Sequence, residues 1–219
     1  YCPFAYLIIP LDAPAPVEDE PVVTAVVSKG QFQMRFPEFT EGGNTPSFLA
    51  AAIRQTGGFS YEVTGRNWKL GDMFQLLVKG MQRNRYVYAF SLDDKGINVH
   101  WPRNENLSNK FLKADEGPII PYSNVEIIIP GEDRALIRRT EAADHVCILY
   151  SAQAIDDFKT RLEQLAARPE SFSERLQAVF GDLIIPEADI SRESNAMSFT
   201  SRTTSGKTTV PIVLTIGGQ

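Results

Sequence analysis

The side chains best suited to nucleophilic or acid–base chemistry are few. The histidines are His100 and His145, and the cysteines are Cys2 and Cys147. A Ser-His-Asp triad needs a histidine that touches both a nucleophile and a carboxylate, but Asp144 and His145 are strand neighbours with side chains on opposite faces. We expect His100 to lie exposed on a polar strand face. We expect Cys147 to be a buried, inert thiol inside an apolar strand.

Two further motifs resemble ligand sites. Residues 205–208 read Ser-Gly-Lys-Thr, like the end of a phosphate-binding loop, but Ser201 stands where that motif needs glycine. Residues 93–96 read Asp-Asp-Lys-Gly, which predicts a tight hairpin rather than a calcium loop. The closely spaced His, Cys and carboxylate ligands of a zinc site are also missing from the sequence. We therefore expect no metal and no cofactor.

Paired carboxylates can act as acid and base when a cleft holds them apart at a suitable distance. Two candidate pairs are Glu132-Asp133 and Asp115-Glu116, both in segments that read as turns or loops. We interpret them as solvated turn residues. A hydrolase with a concealed carboxylate site remains the least favoured function.

A long polar loop from 102 to 121 is rich in asparagine and is surrounded by aromatic residues. Loops of this length between strands are often functional. Aromatic and amide side chains at its rim are suited to binding a saccharide or a peptide, whereas the competing interpretation is that the aromatic ones fill the ends of the core. The candidate binding residues are Trp68, Trp101, Asn104, Asn106, Asn109 and Tyr122.

Alternation of apolar and polar residues predicts strands along most of the chain. The hairpin at 93–96 joins two of them, and Ile97, Val99 and Trp101 continue one apolar face on the return strand. Two predicted strands, 134–138 and 145–150, are partly apolar on both faces, as expected of strands inside a sandwich. The other predicted strands cover 31–36, 59–64, 74–78, 86–92, 125–129 and 208–216.

Capping signals and apolar spacing predict three helices. A short one would start at Thr45 as the N-cap, with Pro46 in its first position, and end at Gly57-Gly58. A second would cover 152–167, where apolar residues recur at helical spacing. A third would begin at the capping box of residues 171–174 and end at Gly181. A polar stretch from 187 to 205 then precedes the final strand.

These elements predict a β-rich α+β fold: an antiparallel β-sandwich with a short N-terminal helix and a C-terminal helical pair, followed by a last strand. Residues 11–21 hold three prolines and four acids, so we expect residues 1–21 to be an extended tail or linker. Residues 22–219 are then one domain, with the helical pair near 152–181.

Composition excludes several classes of protein. Apolar residues make up 43% of the chain, which is incompatible with disorder throughout. The net charge of −5 argues against nucleic acid, and we expect the arginines at 134, 138 and 139 to lie on solvated strand faces. No apolar run approaches the ~20 residues that span a bilayer. With two cysteines the redox compartment stays undecided.

The chain starts with Tyr1-Cys2-Pro3 and no methionine, which predicts a mature form without its signal peptide or a fragment without an upstream domain. Both the cytoplasm and the bacterial periplasm or envelope remain open, with a lean to the envelope.

Several short motifs lie between residues 59 and 157. They include Gly71-Asp72, a Tyr-Val-Tyr-x-Phe strand at 86–90, the Asp93 to Gly96 hairpin and residues 101–104, followed by Ile120-Pro121, residues 127–131 and residues 145–151. This set resembles an uncharacterised family of bacterial accessory domains, often attached to caspase-like peptidases, protein kinases or helical repeat proteins. Its usual Phe-Pro-Asn element differs here, because Trp101 replaces phenylalanine and Arg103 is inserted before Asn104.

The resemblance implies a β-rich module of a larger signalling or envelope protein, and it transfers no catalytic residue. We therefore predict a non-enzymatic interaction domain whose partner is another protein or another domain of its parent chain. The alternative is recognition of an envelope glycan or peptide through residues 101–122. Strand exchange between copies, through the apolar segments 6–11 or 210–216, is a further possibility.

Overall fold

The computed structural model describes residues 26–38, 47–80, 82–103, 117–120, 122–132, 134–193, 196–203 and 206–217. These residues are rich in strands and contain two α-helices. In chain order the elements are β1 (Val26–Glu38), β2 (Ser47–Ala50), β3 (Ile53–Gly57), β4 (Ser60–Val63), β5 (Met73–Gly80), β6 (Arg85–Asp93), β7 (Gly96–Trp101), β8 (Ile119–Ile120), β9 (Val125–Ile129), β10 (Leu136–Ile137), β11 (Asp144–Ser151), α1 (Phe158–Ala166), α2 (Phe172–Phe180), a 3-10 turn (Glu187–Asp189), β12 (Ile190–Arg192), β13 (Met197–Thr203) and β14 (Thr209–Ile216).

The strands form two sheets. The first has the order β10-β5-β1-β13-β12, with β2 also paired to β1 and β9 also paired to β5, and all its pairs are antiparallel. The second has the order β3-β4-β14-β11-β6-β7, with β8 also paired to β6. Its pairs are antiparallel except that β14 runs parallel to β4. The antiparallel prediction is therefore right for every pair but one.

The two sheets pack against each other through one cluster of buried residues. On β1 the alternating residues Phe32, Met34 and Phe36 all belong to this inter-sheet core, as the sequence pattern predicts. The opposite sheet supplies Tyr150, whose ring lies edge-on to Phe32 with 6.0 Å between centroids. Ile148 of β11 belongs to the same core.

A second buried cluster lies on the other face of the second sheet, against the helices. Tyr88 and Phe90 of β6 and Leu149 of β11 meet Leu165 of α1 and Leu176 of α2 there. The prediction that residues 145–150 are buried on both faces is thus confirmed, and helices cover the second face. Neither helix in the described residues is long and apolar enough to cross a membrane.

The predicted N-terminal helix is wrong. Thr45 and Pro46 lie outside the described residues, and residues 47–50 and 53–57 form β2 and β3. Leu49, an apolar residue within that predicted helix, is 55% exposed. A helix of this length is marginal alone, whereas pairing with β1 and β4 gives these segments backbone partners that local pattern does not reveal.

The C-terminal helical pair is present, with one shifted boundary. The first helix starts at Phe158 rather than near 152, and the second carries the predicted capping box between Ser171 and Glu174. The polar stretch from 187 to 205 contains two further strands, β12 and β13, that were not predicted. The final strand is confirmed as β14.

Candidate functional site

A bulge in the β6–β7 hairpin decides the orientation of Trp101. The hairpin itself is as predicted, with Asp93 paired to Gly96. Phe90 pairs with Val99 but Ala89 pairs with Trp101, so His100 is an extra residue on β7. Ile97 and Val99 therefore face the helices. Trp101 turns to the inter-sheet core, so the prediction that it shares their face is wrong.

The candidate binding residues that the structure describes, Trp68, Trp101 and Tyr122, differ in burial. Trp101 is only 2% exposed, so for this residue the structure shows the competing interpretation, core packing. Tyr122 is 72% exposed, while Trp68 is half-buried against Phe36 and Phe74. The predicted amides at 104, 106 and 109 lie outside the described residues. Whether any of these residues binds a ligand stays a prediction.

The two histidines occupy separate surroundings. His100 is half-buried, contrary to the prediction of an exposed side chain, and its Nε2 lies 2.8 Å from the Ser91 hydroxyl. Burial, with a smaller contribution from Arg139, lowers its pKa from 6.5 to about 4, and Asp93 opposes that shift. The ring of His145 stacks on Phe172 at 4.8 Å.

His145 also lines a cavity of about 520 Å³ between α2 and the β3–β4 turn. Its Nδ1 lies 3.3 Å from the Thr215 hydroxyl. Burial and then Arg175 lower its pKa, because both disfavour the charged form of the ring. Glu187, the carboxylate in the cavity lining, is ion-paired with Arg192.

Cys147 is completely buried, and burial raises the pKa of its thiol. Because the thiolate is the reactive form, this cysteine is inert, as predicted. In the part of the chain that the structure describes, no group of three or more His, Cys, Asp and Glu side chains could hold a metal ion.

An apolar groove runs between β7 and α1, and we call it the β7–α1 groove. It has a volume of about 540 Å³. Asp156, Lys159 and Glu163 of the α1 side also line it. Its apolar lining consists of Tyr88, Ile97, Val99, Pro102, Pro118, Ala154, Ile155, Phe158, Leu162 and Ala166.

The groove lies beside a sheet edge. β7 is the last strand on its side of the second sheet, and it pairs with β6 along one side only. No described strand pairs with its other side, so that side presents backbone N–H and C=O groups. A row of backbone groups with which no described strand pairs, next to an apolar groove, is the arrangement that accepts an added strand.

A second cavity, of about 720 Å³, contains Trp68, and we call it the Trp68 cavity. It lies where two segments cross between the sheets, residues 64–72 from β4 to β5 and residues 138–143 from β10 to β11. Its lining residues are Glu62, Val63, Arg66, Asn67, Trp68, Lys69, Leu70, Arg138, Glu141, Thr215 and Gly217.

Arg138 connects the two crossing segments. Its Nη1 donates to the Trp68 carbonyl at 2.7 Å, and its Nη2 donates to the Glu141 carbonyl at 2.9 Å. Arg138 is only 7% exposed, so its expected place on a solvated strand face is wrong. Gly217 covers the guanidinium so closely that a Cβ there would lie 2.3 Å from Nη2.

Sequence reasoning missed both the groove and Arg138. The sequence predicted the two apolar surfaces that line the groove, Ile97 with Val99 and one face of the helix at 152–167. It did not indicate that these surfaces lie against each other. The sequence contains no signal for the burial of Arg138, because that burial depends on how the two crossing segments pack.

Comparisons with models of protein families, with curated proteins and with solved structures found no match. The family resemblance described from the sequence therefore stays a prediction.

Proposed function

We propose that this protein is a non-enzymatic interaction domain whose β7–α1 groove binds an extended peptide segment of a partner protein or of its own parent chain. The observation that carries the proposal is the apolar groove lying directly beside the open edge of β7. The scaffold, in this interpretation, is a β-sandwich that holds the edge strand and the helix at a fixed distance.

The dimensions of β7 suit a short peptide. Its six residues, Gly96–Trp101, span roughly 20 Å at about 3.3 Å per residue. A bound strand would pair its backbone with the open edge. Alternate side chains of that strand would point towards α1, where Phe158, Leu162 and Ala166 line the groove. Specificity then comes from apolar residues at every second peptide position.

The potential catalytic groups support a binding function over an enzymatic one. Cys147 is buried with a raised pKa, and His100 is held against Ser91 in the sheet. Exposed apolar grooves on monomeric proteins commonly mark interaction sites, because water-exposed apolar surface gains free energy when a partner covers it.

The first test blocks the groove at an exposed position. Peptides would be selected from a displayed library of random sequences and their affinities measured for the wild type and for Ala166→Arg. Ala166 lines the groove and is solvent-exposed, so the arginine fills the groove without disturbing the core. We expect affinity to fall at least about tenfold, since a bulky charge then opposes the apolar side chains.

Ala167→Arg is the matched control. Ala167 follows directly on α1 and is also exposed, but it does not line the groove, so this variant should bind like the wild type. Equal loss in both variants, or a library that yields no binder, would contradict the proposal.

A second test addresses strand pairing. Successive N–H groups of a strand point to opposite sides, so methylating one alternate set of peptide nitrogens removes the bonds to β7 and methylating the other set does not. We expect one methylated form of the selected peptide to lose binding and the other to retain it. Identical affinities for the two forms would show that the groove does not pair with a strand.

A further inference from the structure

The Trp68 cavity shares no lining residue with the β7–α1 groove. An inference about this cavity is therefore independent of the peptide binding proposed for the groove. Three cationic side chains line it, those of Arg66, Lys69 and Arg138, against two carboxylates, Glu62 and Glu141. The chain as a whole carries a net charge of −5, so a local excess of positive charge in a cavity needs an explanation.

Arg138 is the least compensated of these charges. Among the described residues no carboxylate oxygen lies within 4 Å of its guanidinium, which donates only to two carbonyl groups. Its Nε is buried without a hydrogen-bond partner in the same part of the chain. Asp144 attracts it at longer range, but the Asp144 carboxylate accepts a hydrogen bond from Thr140. A buried cation without a paired anion is costly, and a bound anion would remove that cost.

The other ion pairs leave the cavity cationic. Glu62 is ion-paired with Arg54, which lies outside the cavity lining. Arg66 is paired with Asp72 at 3.4 Å. Lys69 is exposed, and no described side chain pairs with it. Glu141 is the other lining carboxylate, so Lys69 and Arg138 leave the cavity with a net positive charge that a ligand can neutralise.

The remaining lining indicates the kind of anion. One half-buried indole, that of Trp68, lies among amide, hydroxyl, carboxylate and ammonium groups. An indole gives the apolar C–H face of a pyranose ring a surface on which to pack, and the polar groups can pair with its hydroxyls. A purely apolar ligand would leave these polar groups without partners.

We propose that the Trp68 cavity binds an acidic saccharide, with a hexuronate unit packed on Trp68 and its carboxylate directed to Arg138 and Lys69. Arginine is well suited to this role, because its planar guanidinium holds a carboxylate in a fixed orientation.

The test is a titration with galacturonate and galactose, which differ only in the C6 carboxylate, followed by nuclear magnetic resonance. The protein has two indole N–H groups, and Trp101 is buried in the inter-sheet core, so the Trp68 signal reports on the cavity. We expect galacturonate to shift the Trp68 signal saturably and galactose to bind at least about tenfold more weakly. The Trp101 signal should stay in place.

Variants separate the charge from the ring contact. Lys69→Gln should weaken galacturonate binding by roughly three- to tenfold and leave galactose unchanged, because it removes one exposed cation. Lys29→Gln makes the same charge change at an exposed lysine outside the cavity and should change nothing. Trp68→Leu keeps an apolar side chain but should weaken both sugars, and because it removes the reporting indole its affinities are measured by isothermal titration calorimetry. Raising the salt from about 0.05 to 0.5 M shortens the screening length from about 14 to about 4 Å and should weaken only galacturonate.

Several results would overturn the proposal. Absence of a saturable Trp68 shift, equal affinity for the two sugars, or an unchanged affinity in Lys69→Gln would each do so. If acetate binds as tightly as galacturonate, the cavity recognises a plain carboxylate and the saccharide assignment is wrong.

Discussion

At the scale of single residues, His100 shows how one extra position on a strand changes its neighbours. The bulge places the His100 imidazole beside Ser91. It also turns the next side chain, that of Trp101, to the opposite face of the sheet. Since the charged form of the His100 ring would lose hydration in this position and lie near Arg139, the folded protein favours the neutral form.

This preference predicts a pH-dependent stability. The pKa of His100 is about 4 in the folded state against 6.5 ordinarily, so between these values the unfolded chain binds more protons. Its contribution is present above pH 6.5 and is lost as the pH falls to about 4. The free energy of unfolding should drop over this window by up to about 3 kcal/mol more than in His100→Gln, measured by urea denaturation.

The His100→Gln variant keeps a polar side chain that can pair with Ser91 but cannot titrate, and the carboxylates titrate in both proteins. Parallel stability curves for the two proteins would rule out the neutral, desolvated histidine.

Residue identity alone did not predict these environments. Trp101 and His100 follow an unbroken alternation in the sequence, and nothing in it marks the bulge that moves Trp101 into the core. Cys147 was predicted correctly, because apolar neighbours on both sides report burial directly.

At the scale of elements, α2 was the most predictable part of the chain because its start is determined by local chemistry. The Ser171 hydroxyl accepts from the Glu174 backbone N–H, and the Glu174 carboxylate accepts from the Ser171 N–H. In contrast β2 and β3 are held by pairing with the neighbouring strands β1 and β4, and their own residues also satisfied a helical pattern.

Removing the cap should weaken α2 measurably. We expect Ser171→Ala to lower the free energy of unfolding by about 1 kcal/mol, because a helix N–H loses its acceptor. Ser173→Ala, an exposed serine in the first turn that is not the capping residue, is the control and should cost much less. Equal losses in thermal or urea unfolding would mean that the cap does not stabilise the helix.

At the scale of the whole molecule, the second sheet belongs to two cores at once. Along β11, Ile148 faces the first sheet, while Cys147 and Leu149 face the helices. The sequence predicted the richness in strands and the C-terminal pair of helices, but its predicted N-terminal helix is wrong. The strand order did not follow from the sequence, because pairings such as β1 with β13 join residues far apart in sequence.

Because the second sheet contributes to both cores, we expect the two sheets and the helices to unfold together as a single domain. Leu76 lies in the inter-sheet core and Leu165 in the helix-side core, and both are fully buried. Replacing either with alanine should cost about 2–5 kcal/mol. Leu165→Ala should lower the urea midpoint seen by tryptophan fluorescence as much as that seen by circular dichroism, although both tryptophans pack on the other core.

Gln164→Ala, at an exposed position beside Leu165, is the control and should leave both midpoints nearly unchanged. Two separate transitions in Leu165→Ala would show that the helical layer unfolds independently of the paired sheets.

The position of β14 has a consequence for how the protein is made. This strand lies between β4 and β11, and its Val213 pairs with Ser60, so the centre of the second sheet is the last part of it to leave the ribosome. Until then the nascent chain holds β4 and β11 with open edges that can pair with other chains. A message cut short before Thr209 would therefore yield a chain in which the edges of β4 and β11 stay open to other chains.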